Sequence, residues 1–151
     1  MIVFLDAGPL SLITNPKNTS GTLAVAKWVI AMRAADHRFI VPAIADYEVG
    51  RELLRAGKTS SVAQLDAFNA AAPGRFLSVT DGALRLAAQL WARSRNAGMT
   101  TADPKELNAD VMIAAQVIGI GLPTSDFILA TNNIGHLSQF VPCDLWTNIR
   151  P

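Results

Sequence analysis

Five side chains with carboxylate or amide oxygens stand beside the apolar segments of this sequence. They are Asp6, Glu48, Asp110, Asn132 and Asn133. Oxygen ligands of this kind suit Mg²⁺. Three carboxylates in one cleft would raise each other's pKa, and a divalent cation relieves that cost. If the chain brings the acids together, the chemistry they support is metal-assisted hydrolysis of a phosphodiester.

Asp6 directly follows the apolar run Ile2–Leu5, and Ala7, Gly8 and Pro9 then break the predicted strand. In an open α/β sheet, ligands bind in the crevice outside the carboxyl ends of the strands. An acid at that position therefore lies where a site is expected. The alternative is that Asp6 only caps a helix that begins near Pro9, because Asp is a preferred capping residue.

Glu48 belongs to a predicted helix over residues 43–55. It would lie one turn from Glu52, on a face that also carries Arg51 and Arg55. This pattern is typical of a catalytic acid with phosphate-binding arginines. It is equally typical of an exposed surface with Glu48–Arg51 and Glu52–Arg55 pairs. The sequence leaves both interpretations open.

Asp110 is predicted at the start of an otherwise apolar helix that Asn108 can cap. The alternative to a catalytic role is an acid in the first turn that complements the helix dipole. Thr131, Asn132 and Asn133 follow the apolar run 127–130, at the same depth in the sheet as Asp6. Their alternative role is a turn, which Asn favours for local reasons.

The composition is that of a globular protein, with 50% hydrophobic and 17% charged residues among 151. That length predicts a single domain over residues 1–151. A formal net charge of +1 gives no global field that would indicate nucleic acid. The one cysteine excludes an internal disulfide and fits a reducing compartment, so we expect a cytoplasmic protein. We expect no signal peptide and no membrane span, since no apolar run reaches roughly 18 residues.

Apolar periodicity predicts alternating strands and helices. The predicted strands are 2–5, 38–41, 76–79, 127–130 and an edge strand 145–149. The predicted helices are 9–14, 23–35, 43–55, 60–72, one from Thr80 or Asp81 to Gly98, and one from Asn108 to Gly119, with a polar loop over 99–106. This order favours an α/β/α sandwich around a mostly parallel sheet of four to five strands. Two histidines, His37 and His136, do not make a zinc set.

Four motifs occur in a characteristic order. They are Leu5-Asp6, then Tyr47-Glu48-Val49 with Arg51-Glu52-Leu53, then Ala109-Asp110 before Ile113-Ala114-Ala115, then Ala130-Thr131-Asn132-Asn133 before His136-Leu137 and Phe140. In their order and spacing the chain resembles the PIN-domain family, in particular the VapC-like toxin ribonucleases. The resemblance implies RNA cleavage with Mg²⁺ or Mn²⁺. It assigns Asp6, Glu48 and Asp110 as metal ligands and catalytic residues, with Asn133 in a fourth catalytic place.

The resemblance also implies partners. It predicts RNA as substrate, a cognate antitoxin protein and a homodimer. The helix 23–32 is apolar beyond a narrow stripe, so we expect the dimer to form through it and the helix 60–72; the alternative is that the helix 23–32 is fully buried. Arg51, Arg55, Thr131 and His136 are candidate substrate contacts. For each of them a structural role is the alternative: intrahelical pairing for the arginines, a strand end for Thr131, and a loop hydrogen bond for His136.

The sequence departs from the family pattern at Ala7, where a polar residue is usual, and in the long connection that contains Asp126. Asn132, Asn133 and Asp126 compete for the fourth place, although Asp126 is expected at the opposite end of the strand. The number of metal ions stays open. The alternatives to a ribonuclease are a non-catalytic PIN-like module that binds nucleic acid or protein, and a small-molecule phosphohydrolase on a related fold.

Overall fold

A computed structural model describes residues 1–98 and 104–151, with the backbone alone for residues 104–106. Its sheet has five strands, all parallel, in the order β3-β2-β1-β4-β5. The strands are β1 (Ile2–Leu5), β2 (Arg38–Pro42), β3 (Phe76–Leu77), β4 (Phe127–Thr131) and β5 (Cys143–Leu145). The predicted α/β architecture and its parallel sheet are therefore confirmed.

In the described part of the chain six helices flank this sheet, and a short 3₁₀ turn spans Leu137–Gln139. The helices are α1 (Ala7–Ile13), α2 (Ser20–Ala34), α3 (Ala43–Arg55), α4 (Thr59–Ala70), α5 (Asp81–Asn96) and α6 (Pro104–Ile118). Val3, Phe4 and Leu5 of β1 are all fully buried. Because successive strand residues point to opposite faces, the sheet is covered on both sides at its centre. In the described ranges no helix combines the length and apolarity that crossing a membrane requires.

The order in which the chain adds strands to the sheet reverses at the central strand β1. From β1 the chain adds β2 and then β3 on one side, and it returns to place β4 and β5 on the other. The register pairs Ile2 with Arg38 in β2 and with Phe127 in β4. Ligands in such sheets bind at the carboxyl ends of the strands at this switch point. Asp6, after β1, and Thr131, at the end of β4, both lie there.

The prediction that a helix starts at Asn108 is wrong. Helix α6 begins at Pro104, which suits the first helical position because its fixed φ is already helical. Asn108 therefore does not cap the helix, and Asp110 lies in its second turn rather than its first. Of the predicted loop 99–106, residues 104–106 are helical and 99–103 lie outside the described residues.

The edge strand and two helix starts also differ from prediction. Strand β5 is Cys143–Leu145 rather than 145–149. Beyond it the chain turns toward α2, where the Trp28 indole donates to the carbonyl of Ile149 at 2.9 Å. Strand β3 has two residues rather than four. Helix α1 begins at Ala7, before the predicted Pro9, and α2 begins at Ser20 because Thr19 and Thr22 form a capping box.

A buried glutamine joins the two helices that carry Glu48 and Asp110. Helix α3 has no side-chain cap, since Pro42 precedes it. The Gln116 Oε1 of α6 instead accepts from the Ile44 N–H at 3.1 Å, and its Nε2 donates to the Leu77 carbonyl at 2.9 Å. Gln116 is 3% exposed, so these bonds form away from water. The side chain thus fixes α6 against the start of α3 and against β3.

Candidate active site

Asp6 caps helix α1 and at the same time follows the central strand at the switch point of the sheet. Its Oδ1 accepts from the Ala7 N–H at 2.7 Å, and its Oδ2 accepts from the Thr131 hydroxyl at 2.6 Å. The two sequence interpretations are therefore compatible. Burial raises the pKa of Asp6 above its ordinary value, and the bonds from Thr131 and Ala7 oppose that rise.

Thr131 is fully buried, and its hydroxyl is engaged with Asp6. The same oxygen accepts from the Asn133 N–H at 3.1 Å. Thr131 therefore joins the end of β4 to the carboxylate that follows β1. In this position it orients Asp6 and has no exposed surface to offer a substrate.

Glu48 lies on α3 and is half-buried. Its pKa is raised first by burial and then by the negative charge of Asp6, while the charge of Arg51 opposes the rise. The Arg51 Nη2 lies 3.9 Å from the Glu48 Oε1, and its guanidinium stands 5.3 Å from the centre of the Tyr47 ring. Glu48 is therefore close enough to Asp6 for the two charges to repel.

Asp110 is half-buried on α6. The pKa of the Cys143 thiol is raised first by burial, then by the charges of Asp144, Asp6 and Asp110. Asp6 and Asp110 consequently act on one group, the thiol at the start of β5. Sequence reasoning did not select Cys143, because its position depends on the pairing of β5 with β4, in which Cys143 faces Leu129.

Asn132 and Asn133 are exposed and occupy different positions after β4. A Cβ on Gly8 would lie 2.6 Å from the Asn132 Nδ2, so Asn132 packs directly on the first turn of α1. Asn133 lies against Gly135, whose φ is +35°. Asp126 precedes β4, and its carbonyl accepts from the Ile2 N–H at 2.9 Å. It lies at the end of the sheet opposite Asp6, which leaves the two asparagines as candidates for the fourth place.

Arg55 and His136 are the other two residues predicted to contact the substrate. The Arg55 Nε and Nη2 both lie 2.9 Å from the Glu52 Oε2. His136 is half-buried just before the 3₁₀ turn, and its Nδ1 is buried without a hydrogen-bond partner in the described ranges. The Arg51–Glu48 and Arg55–Glu52 pairs that the sequence predicted as the alternative for α3 are therefore present.

A metal could be held here by hard oxygen donors. Asp6 and Glu48 are mutually repulsive carboxylates, and among the described residues one hydrogen-bond donor contacts each Asp6 oxygen. This donor chemistry fits Mg²⁺ or Mn²⁺. However, among residues 1–98 and 104–151 no three or more His, Cys, Asp or Glu side chains are already grouped to hold an ion. The residues present therefore fit a divalent cation by the type and charge of their ligand atoms.

The fold is similar to that of chains in three solved structures. A chain of VapBC2 from Rickettsia felis bound to a DNA fragment from their promoter matches with TM-score 0.68 and 17% identity, over 97% of this chain and 99% of that chain. A chain of FitAcB from Neisseria gonorrhoeae matches with TM-score 0.65 and 22% identity, over 97% and 99%. A chain of VapBC-1 from nontypeable Haemophilus influenzae matches with TM-score 0.59 and 16% identity, over 98% and 100%. These similarities identify a PIN-like α/β fold.

No protein-family model matches this sequence, and no curated protein matches it.

Proposed function

We propose that the protein is a divalent-metal-dependent endoribonuclease that hydrolyses RNA phosphodiesters beside Asp6, with Mg²⁺ or Mn²⁺ as cofactor. The observation that carries the proposal is the position of Asp6 at the switch point of the sheet, where its charge raises the pKa of Glu48. The fold supports it, because three toxin–antitoxin structures share that fold.

Each residue has a definite task in this proposal. Thr131 and the Ala7 N–H fix the direction of the Asp6 carboxylate, each by donating a hydrogen bond to one of its oxygens. Asp6, Glu48 and Asp110 supply the negative charge that attracts a cation, and Asn133 is the fourth polar group. A bound divalent cation supplies positive charge that stabilises the phosphodiester during hydrolysis. Arg51 beside Glu48 limits how far the carboxylates repel one another.

The test is cleavage of a mixed panel of single-stranded RNAs with Mg²⁺ or Mn²⁺, with and without chelator. Glu48→Gln should reduce cleavage by more than the roughly 10–100-fold typical of losing an outer-shell partner of a metal. The matched control is Glu52→Gln, one turn along α3, which removes the same charge from an exposed pair. It should leave cleavage unchanged. Equal activity in the two variants would refute the assignment of Glu48.

The second candidate is a non-catalytic module that binds RNA. The observation in its favour is that no three-ligand metal group is formed in the described part of the chain. It predicts RNA binding that persists in chelator, with no cleavage of any RNA in the panel. Direct titration of labelled RNA in chelator, beside the cleavage assay, separates the two functions.

We also propose that the chain acts as a cytoplasmic toxin with an antitoxin partner, and that it forms a homodimer through α2. Leu23 and Ile30 of α2 are 50% and 69% exposed, whereas Trp28 is buried in the core. Light scattering at micromolar concentration should therefore give a dimer mass, and Ile30→Glu a monomer mass.

Expression of the wild type, but not of Glu48→Gln, should arrest growth of a bacterial host.

A further inference from the structure

Three arginine side chains surround one polar cavity away from the acidic site. The cavity has a volume of about 240 Å³ and is lined by Arg33, Arg38 and Arg75 together with Asp36 and His37. Arg33 lies in the last turn of α2, and Arg38 is the first residue of β2. Three cations thus face one carboxylate in a small space.

The cavity is separate from the candidate active site. Arg38 pairs with Ile2 at the beginning of β1, whereas Asp6 follows the other end of that strand. At about 3.3 Å per strand residue, the separation along the sheet is about 13 Å. A ligand in this cavity would therefore not contact Asp6.

Arg75 is the buried member of the group, with 7% of its surface exposed. Its Nη1 donates to the Phe68 carbonyl at 3.1 Å, and its guanidinium stands 4.6 Å from the centre of the Phe68 ring. Its Nε has no hydrogen-bond partner in the described ranges, and neither has the Nδ1 of His37, also buried. Buried polar nitrogens without partners are costly. Both residues line the cavity, and the Arg75 Nε–H is a donor that lacks an acceptor.

The charges around the cavity are not balanced within the chain. Among the side chains that the structure describes, Arg33, Arg38 and Arg75 form no ion pair with a carboxylate. Burial, and then the charge of Arg33, lower the pKa of Arg75. An anion between the arginines would relieve that repulsion and accept a hydrogen bond from the Arg75 Nε.

We propose that this cavity, hereafter the arginine cavity, is a binding site for a phosphate group. A guanidinium presents donors in a planar fork that matches two phosphate oxygens. The three arginines supply such forks from the end of α2, the start of β2 and the loop before β3, and His37 supplies a further nitrogen. The phosphate is either a free anion or part of an RNA strand, and the chemistry of recognition is the same.

The first experiment titrates the full-length protein with inorganic phosphate and with pyrophosphate by calorimetry, at constant ionic strength in chloride buffer. Arg33→Gln should weaken binding about tenfold, the effect of one hydrogen bond to a charged group. The matched control is Arg93→Gln, since Arg93 is exposed in the last turn of α5 as Arg33 is in that of α2. It should leave phosphate affinity unchanged.

Asp36→Asn provides a test by gain of binding, which unfolding cannot imitate. Asp36 has a φ of +59°, and Asn tolerates that left-handed backbone as well as Asp does. Removing the one carboxylate of the arginine cavity should tighten phosphate binding several-fold. Weaker binding in Asp36→Asn would overturn the proposal.

The RNA arm measures affinity for a single-stranded oligonucleotide in chelator, with the same variants. If Arg33→Gln weakens and Asp36→Asn tightens RNA binding, the phosphate belongs to a nucleic-acid strand. If only inorganic phosphate or pyrophosphate responds, the ligand is a free anion. The proposal is wrong if Arg33→Gln and Asp36→Asn behave like Arg93→Gln toward all three probes.

Discussion

Replacing Thr131 by Val tests whether this hydroxyl holds Asp6 in place. The substitution removes a 2.6 Å bond to the Asp6 carboxylate and a 3.1 Å bond from the Asn133 N–H. A hydrogen bond to a charged group contributes about 1.5–3 kcal/mol and a neutral one about 0.5–1.5 kcal/mol. Because Asn133 is exposed, water can replace its lost partner, and we expect a total destabilisation of about 2–4 kcal/mol at neutral pH.

The pH dependence of that loss identifies its cause. The pKa of Asp6 in the folded state is raised above 3.8 by burial, so its contribution to stability is complete below that pH and is lost as pH rises through the folded-state pKa. The Thr131 bond lowers this pKa, so Thr131→Val raises it further. The difference in stability between the variant and the wild type should therefore grow as pH rises from acid to neutral, by about 1 kcal/mol.

The assay is urea unfolding in chelator across that pH range, with Thr131→Ser as the control that keeps the hydroxyl. Thr131→Ser should show no pH-dependent difference from the wild type. A stability difference for Thr131→Val that is constant with pH would refute the reasoning, because it would assign the loss to packing rather than to the Asp6 carboxylate.

Three further substitutions probe the surroundings of the site. Gly8→Ala should destabilise by about 1–3 kcal/mol through its contact with Asn132, and Asn132→Gly in the same chain should restore most of that loss in urea unfolding. Gln116→Leu should cost about 2–4 kcal/mol, since an N–H of α3 and a carbonyl of β3 lose their partners, again measured in urea. Asp6→Asn should keep or raise the melting temperature in chelator, because Asn caps equally well and carries no charge. The stability of Asp6→Asn relative to the wild type should grow between about pH 4 and pH 8, as Asp6 of the wild type ionises. The same Asp6→Asn protein should not cleave RNA.

The element order of this fold is visible in the sequence because apolar runs and helical spacing alternate cleanly. Strands β1, β2 and β4 and helix α3 are placed within one residue of prediction. The errors occur where local signals conflict. Asn108 looks like a cap, but Pro104 four residues earlier already has a helical φ, so the helix begins there and Asp110 moves into its second turn.

The site was harder to predict than the fold, because its contacts join residues that are distant in sequence. The bond between Thr131 and Asp6 spans 125 residues and requires β4 to lie beside β1. The charges of Asp6 and Asp110 contribute to the raised pKa of the Cys143 thiol. That effect likewise requires β5 to lie beside β4. Strand order is a tertiary property, so periodicity alone could name these residues as strand ends but could not pair them.

The packing of Asn132 on Gly8 gives a physical reason for a glycine at the second position after Asp6. A Cβ at position 8 would approach the Asn132 side chain to less than 3.0 Å at three of its atoms, Nδ2, Cγ and Cβ. A side chain on residue 8 would therefore displace both Asn132 and the end of β4. Since the same strand end holds Thr131 against Asp6, the absence of a side chain at Gly8 and the orientation of the Asp6 carboxylate depend on one another.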